Sequence, residues 1–437
     1  MGAVLSTDAT TDSEVKTVAM SLEDRVYGTI YGNCIGDAIG LLTEFLSKEE
    51  AFQCYGSKKL EYSMKVKDGH RVRWNIGDWT DDSDQMILII LALIENRERK
   101  VTIATQQDFA RRMRKWMQKG FPELGDWGGC GIGGTTLQVL TMDMFTTDPE
   151  QASRTVWERS GKMLAPNGGV MRTSILGVHQ YQDLDAVIHN TEKLCRVTHA
   201  DPRCIASCVA VTTAIAMMLQ GKHWKEDGTI DVGGITSDSF EYAKKYLVAD
   251  DGTEDSTAVQ ELQFHMEAEK LSYLKLDERR KIGYTYKTMG AGFWSLRQND
   301  FRKALTELIM EGGDADTNGA VAGALLGCKL GVKGLPKSWR DKLCYKQWLD
   351  EQVIDKYLET FPLVQPTTAS GNGAHLPNME AQVHDNKENA ESGERSEVEK
   401  GRKEEADSEK ETKEESSKDN GTKVTDTSKG VQMETAV

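Results

Sequence analysis

The sequence is poor in the residues that interrupt helices and in those that clamp small folds. Its 437 residues include only 8 prolines. Proline breaks helix interiors, so this scarcity favours a helical chain. The 8 cysteines include no CxxC pair, which excludes a disulfide framework or a cysteine zinc site as the organising feature. Cys204 and Cys208 stand one helical turn apart in an apolar run and are expected in the core. Positive charge is outnumbered, with 54 Lys and Arg against 69 Asp and Glu and a net charge of −15. Nucleic acid is therefore not the expected partner, because phosphate backbones attract Lys and Arg. An acidic balance suits a protein that holds cations. The N-terminus lacks a basic stretch followed by an apolar one, so no signal peptide is expected. Long hydrophobic runs are also missing. The two best, 86–94 and 204–220, are at or below the lower limit for a bilayer span, and the second contains Ser207, Thr212 and Thr213. Both are expected as buried helices. With no disulfide framework, the expected compartment is reducing, either cytoplasmic or nuclear.

Hydrophobic residues make up 38% of the chain, low for a globular domain, and the dilution lies at the C-terminus. Residues 365–437 hold no aromatic residue and no isoleucine, and carry 17 acidic against 10 basic side chains. Such a segment cannot bury enough apolar surface to offset its ordering entropy, so a disordered acidic tail is expected there. Residues 1–20 read as a flexible N-terminus. That leaves 21–364 as one domain. Within it apolar residues recur at helical spacing, for example Phe109, Met113 and Trp116, or Tyr284, Met289, Phe293 and Leu296. Gly319, Gly323, Gly327 and Gly331 place one glycine every four residues, a bare stripe that lets another backbone approach closely. The expected class is all-α, with close helix packing in its core. Residues 221–256, polar and dotted with glycine, read as a surface insertion.

Two acidic motifs carry the chemistry. Gly77-Asp78-Trp79-Thr80-Asp81-Asp82-Ser83-Asp84 precedes the first apolar run, and Gly312-Gly313-Asp314-Ala315-Asp316-Thr317-Asn318-Gly319 precedes the glycine stripe. Asp and Thr at a helix start are ordinary N-caps, but one cap needs one such residue. If the two helix starts meet, Asp81, Asp82, Asp314 and Asp316 put about four negative charges in one cavity, each pair repelling by roughly 3 kcal/mol at ~5 Å and an effective dielectric near 20. Cations must fill such a site, and hard oxygen donors select Mg²⁺, Mn²⁺ or Ca²⁺ over zinc. Two divalent ions would balance the charge. A third segment, Gly36-Asp37-Ala38-Ile39-Gly40, leads to Glu44; the pattern leaves open whether Glu44 faces inward or solvent. Residues 128–136 and 166–172 are glycine-rich and offer backbone N–H groups to phosphate, though neither is a Walker A loop, and ordinary turns explain each one alone. His199 precedes a buried run.

In this order the motifs resemble the ADP-ribosylglycohydrolase family over about 21–335. The resemblance implies an all-α fold, a single orthogonal helical domain with two Mg²⁺ or Mn²⁺ ions in a central cleft, and hydrolysis of the ribosyl C1″ bond of ADP-ribosylated side chains or O-acyl-ADP-ribose. It implies Thr80, Asp81, Asp82, Asp314, Asp316 and Thr317 as metal ligands, with Glu44, Asp81 and Asp316 as catalytic groups. It further implies that Asn167, Gly168, Gly169, Val170 and Met171 line the diphosphate, with His199 near the substrate. The sequence departs from several members at Gly131, where they carry an aspartate, and Asp126 is the nearest carboxylate. That departure weakens an arginine-linked substrate. Two other readings compete. One is a catalytically silent binding or structural member of the family. The other is a Mg²⁺-dependent all-α enzyme of diphosphates, for which Asp81-Asp82-Ser83-Asp84 lacks the DDxxD form. At the ends of the chain, Gly2 fits an N-myristoylation pattern, and Thr435-Ala436-Val437 fits a PDZ-domain ligand.

Overall fold

The computed structural model describes residues 20–99, 105–249 and 251–363. Gly2, the C-terminal Thr435-Ala436-Val437 and the acidic tail lie outside these residues, as does nearly all of the N-terminal segment. The described residues fall within one compact unit. They form helices and turns. No strand occurs among them beyond three isolated bridges.

Two helices cross at the centre, Leu22–Gly40 and Ala315–Leu330, and nearly every residue of both is buried. Such helices are hydrophobic all round because neighbours cover every face. Ser21 starts the first by accepting the Asp24 N–H at 3.0 Å, an ordinary N-cap. Gly331, at φ 68°, ends the second. The crossing is built on glycine from both sides. A Cβ added at Gly28, Gly32 or Gly36 would lie 2.2, 2.0 or 1.9 Å from the carbonyl oxygen of Gly327, Gly323 or Gly319. At Gly40 it would lie 2.3 Å from the Asp316 Cα. The backbones therefore touch over three turns, with the Cα–H groups facing carbonyls. The sequence stripe at 319–331 has its partner at 28–40. This contact delivers Asp37, near the end of one helix, beside Asp316, at the start of the other.

Further helices enclose the pair. Thr285–Leu296 is buried along its length. Pro202–Leu219 is long and apolar enough to cross a membrane, but it is buried inside the fold. Asp81–Arg99 buries Met86, Ile87, Ile89 and Ile90. The 3.6-residue pattern also finds Thr105–Lys119 and Phe301–Ile309, with Phe109, Met113, Trp116, Leu305 and Leu308 in the core. The polar stretch after Gly221 lies mostly at the surface and contains the helix Val232–Ala243, capped by Asp231 and seated through Ile235, Thr236, Ser239 and Ala243. With only these four positions buried, its local composition gives little signal of a packed helix.

Candidate functional site

The starts of the Asp81 and Ala315 helices meet in the interior. An ordinary helix start would spend its acidic side chains on its own N–H groups. Here the Asp81 helix is capped from outside. Asp37 accepts the Thr80 N–H at 2.9 Å, the Ser83 N–H at 3.0 Å and the Ser83 hydroxyl at 2.6 Å. The Thr80 side chain is thereby released to donate toward Asp82 Oδ2 at 3.1 Å and Asp316 Oδ2 at 3.4 Å. Asp314, at the N-cap position of the other helix, makes no capping bond with its side chain. The acidic residues of both motifs are thus in excess of what capping requires.

Two groups of carboxylates follow. One oxygen each of Asp37, Asp82 and Asp316 lie within 4.8 Å of one another, as do one each of Glu44, Asp314 and Asp316. Asp316 belongs to both. Asp82 Oδ1 is buried and has no hydrogen-bond partner among the described residues. Burial pushes the Asp82 and Asp316 carboxyls well above the usual carboxylate range, and neighbouring carboxylates add to the effect. Asp81 is raised in the same way by burial, then by Asp37, Glu44 and Asp314. Burial also raises Asp37, to about 6, against the bonds it accepts from Ser83 and Thr80. Groups driven toward the neutral form by burial and mutual repulsion are groups that a cation would restore.

Glu44 reaches this place through glycine chemistry. Phe45 N–H donates to Gly313 O at 2.7 Å, and Gly313 N–H donates to Leu46 O at 2.8 Å. Gly312 and Gly313 sit at φ 70° and 71°, and a Cβ on either would come within 2.2 Å of a carbonyl oxygen. Only glycine allows the loop after the first helix to lie against Asp314. Arg71, fully buried, donates to Leu41 O, Leu42 O and Glu44 O, and pairs with Asp68. The Glu44 carboxylate, itself buried, is 2.5 Å from His70 Nε2.

The predicted loop lies on the Asp314 side. Asn167 donates to Asp314 Oδ2 at 2.8 Å and to Thr288 Oγ1 at 3.0 Å, so its amide orients a carboxylate. Its own N–H is taken by Gly283 O. Gly168 packs on His199, since a Cβ there would be 2.8 Å from the imidazole Cε1. Gly169 packs on the Cys195 and Cys208 sulfurs. Val170 and Met171 are buried, and the Met171 carbonyl accepts from Asn33. His199 is buried, bonded through Nδ1 to Thr198 Oγ1 at 2.7 Å, and burial and Arg172 hold its pKa well below the usual value.

Two residues that matter here were given no role by the sequence, Gln85 outside the acidic motif and Arg172 at the end of the 166–172 segment. Gln85 donates to Asp81 Oδ2 at 2.8 Å. Arg172, fully buried, donates to Gln85 Oε1, Gly168 O, Leu194 O and Thr198 Oγ1. It therefore ties the support of Asp81 to the support of His199. Gln85 was legible in principle, one turn after Asp81 on the same helix face. Not every predicted residue joins a trio. Asp81 lies in neither, although it feels their charge. Thr80 and Thr317 line the cluster with buried hydroxyls. Asp84 is turned away and accepts the Trp79 and Trp116 indoles at 2.8 and 2.9 Å. Asp126 does not replace a carboxylate at position 131, because it accepts the Phe121 N–H at 2.9 Å. Gly131 sits at φ 97°, and a Cβ there would be 2.6 Å from Asp81 Oδ1. The backbone at 131 is built for glycine.

Comparison with known proteins gives a consistent result. The family model for ADP-ribosylglycohydrolase matches residues 19–367. The ADP-ribosyl-[dinitrogen reductase] glycohydrolase of Rhodospirillum rubrum is 25% identical over 332 residues, covering 75% of this chain and 92% of that protein. The ADP-ribosylarginine hydrolase Tri1 of Serratia proteamaculans is 23% identical over 338 residues, covering 74% of this chain and 76% of that protein. A solved structure titled ADP-ribosylglycohydrolase-related protein complex aligns with a TM-score of 0.52 and 21% identity, covering 78% of this chain and 99% of that one, and supports the fold. The matched region contains both acidic motifs and the loop between them, and the chain belongs to the ADP-ribosylglycohydrolase family.

Proposed function

We propose that this ADP-ribosyl hydrolase cleaves the ribosyl C1″ bond of ADP-ribosylated protein side chains, arginine first, using two Mg²⁺ or Mn²⁺ ions. The observation that carries the reading is the pair of carboxylate trios sharing Asp316. The residues fit such ions. All donors are hard oxygens, and Asp82 Oδ1 is a buried acceptor left without a donor. Asp37, Asp82 and Asp316 would hold one ion, and Glu44, Asp314 and Asp316 the other, with the Thr80 and Thr317 hydroxyls alongside. Ions so held supply Lewis acidity and lower the pKa of water.

The chain's own groups account for the rest. Cleavage at C1″ passes through an oxocarbenium-like state that needs a positioned water and a base. Glu44, oriented by its contact with His70, is the carboxylate placed to take the proton of that water. Asn167 fixes Asp314, and Gln85 fixes Asp81, so the carboxylates keep their places as charge develops at the ribose. The Gly168–Gly169 turn, packed on His199 and on the Cys195 and Cys208 sulfurs, would offer main-chain N–H groups to the diphosphate. Arginine is the first linkage to test because it stands in the name of a curated relative; the fixed glycine at 131 means no side chain there takes part in choosing it.

The test is ADP-ribose release from ADP-ribosylarginine, ADP-ribosylserine and O-acetyl-ADP-ribose, with Mg²⁺, with Mn²⁺ and with EDTA. Release from at least one substrate that stops with EDTA supports the reading. Tight ADP-ribose binding with no release from any of them would replace it with a silent binding member.

A further inference from the structure

We propose that Arg73 and His70 form a two-residue relay that positions Glu44 for the metal cluster. The inference rests on the reading of Glu44 as part of the site and adds the residues that set its orientation. Arg73 grips His70 at two points. Its Nε donates to the His70 carbonyl at 3.0 Å, and its Nη2 meets His70 Nδ1 at 2.5 Å. The guanidinium also stacks 4.4 Å from the Trp74 ring centroid. The His70 ring is packed between Phe45, at 4.8 Å, and Trp74, at 5.2 Å. Its Nε2 faces Glu44 Oε2.

The chemistry of these contacts fixes their direction. A guanidinium has donors and no acceptor and keeps its charge. His70 Nδ1 must therefore accept. The tautomer that accepts at Nδ1 carries its hydrogen on Nε2, and that hydrogen points at Glu44. This bond commits Glu44 Oε2, and Glu44 also offers a carboxylate oxygen to the group with Asp314 and Asp316. Without the relay, Glu44 would sit in a loop whose next residue, Phe45, is at φ 63° and half exposed. A glutamate held only by its backbone retains the rotamer freedom of its side chain. Arg71 fixes the Glu44 carbonyl and Arg73, through His70, fixes its carboxylate, so one short segment, 70–73, holds both ends of the residue. Neither His70 nor Arg73 touches substrate in this account; they are positioning residues.

The experiment uses the full chain freed of metal with EDTA and then titrated with Mn²⁺ by calorimetry. Steady-state kinetics on the same preparations give kcat and KM. His70→Ala is expected to weaken one of two Mn²⁺ sites about tenfold, in line with the loss of an outer partner of a ligand. Its kcat falls by a similar factor and KM moves little. His70→Gln, whose amide N–H can donate to the same oxygen, restores most of both. Arg73→Ala reproduces a part of the His70→Ala loss, and Arg73→Lys returns part of that. Wild-type Mn²⁺ affinity in Arg73→Ala would overturn the relay. So would a His70→Gln variant no better than His70→Ala, or a loss matched by an equal fall in melting temperature. If wild type binds Mn²⁺ without releasing ADP-ribose, the hydrolase reading fails while Mn²⁺ affinity still decides the relay. If wild type binds no Mn²⁺, both fail.

Discussion

Gly323→Ala tests how the fold builds its site. Two effects oppose each other. Glycine in a helix interior is about 1 kcal/mol worse than alanine, so an unobstructed change would stabilise the Ala315 helix. The new Cβ, however, would lie 2.0 Å from the Gly32 carbonyl oxygen, more than 1 Å inside any acceptable contact. The obstacle is main chain and cannot rotate away, so the two helices must separate. Overpacking usually costs about 1–3 kcal/mol, and a rigid obstacle puts this case at or above the top of that range. The net expectation is a loss of about 2 kcal/mol. Residue 323 is about two turns, or ~10 Å, from Asp316 along the helix, so the same separation loosens Asp316 against Asp37. Urea denaturation should show a lower midpoint at unchanged slope, accompanied by weaker Mn²⁺ binding. Gly134→Ala, where a Cβ would meet nothing within 4 Å, serves as the control and should not lose stability. A Gly323→Ala protein as stable as wild type would refute the backbone contact.

Three further outcomes follow from the same structure. Burial, then Asp126 and Asp37, raise the Asp78 carboxyl to about 7 despite the bond it accepts from the Asn75 N–H. The favourable contribution of its protonated form is complete below about pH 4 and is lost as pH rises through about 7. Asp78→Asn should therefore stabilise the chain at pH 8, by on the order of 3 kcal/mol, and give no gain at pH 4 in parallel melts; equal effects at both pH values would contradict the shift. Asp84→Ala leaves two indole N–H groups, those of Trp79 and Trp116, without their acceptor, and should cost about 2–4 kcal/mol while calorimetry still shows wild-type Mn²⁺ binding. Arg172→Ala removes the donor to Gln85, Gly168, Leu194 and Thr198 and should cost about 3–5 kcal/mol. Arg172→Lys, a single point charge in place of a planar fork, should rescue little of that in the same denaturation assay.

The parts of this account that were legible in the sequence are those written in local pattern. The two acidic motifs, their places at helix starts, the all-α class and the glycine stripe at 319–331 all depend on near neighbours in the chain. The converse stripe at Gly28, Gly32, Gly36 and Gly40 was equally regular. Only the pairing of the two helices makes it meaningful. Asp37 shows the limit of local reasoning. A carboxylate that caps a helix 43 residues away leaves no spacing rule behind. The same holds for the hold on Glu44, because His70, Arg71 and Arg73 form an unremarkable polar run until the loop folds onto the end of the first helix. Asn167, expected beside a diphosphate, also orients Asp314 through its amide, a partner 147 residues away that no local pattern announces. A glycine-rich loop announces close approach in the sequence, and what approaches it is decided by the fold.

The central claim is that one site, organised around Asp316, binds the ions and performs the cleavage. The direct measurement is a Mn²⁺ titration of wild type, Asp82→Asn and Asp316→Asn, with release of ADP-ribose from ADP-ribosylarginine followed on the same samples. Because Asp82 belongs to one trio and Asp316 to both, the account predicts two Mn²⁺ in wild type, one weakened in Asp82→Asn, and both weakened in Asp316→Asn with release abolished. An Asp316→Asn protein that binds two Mn²⁺ as wild type does and still releases ADP-ribose would contradict it.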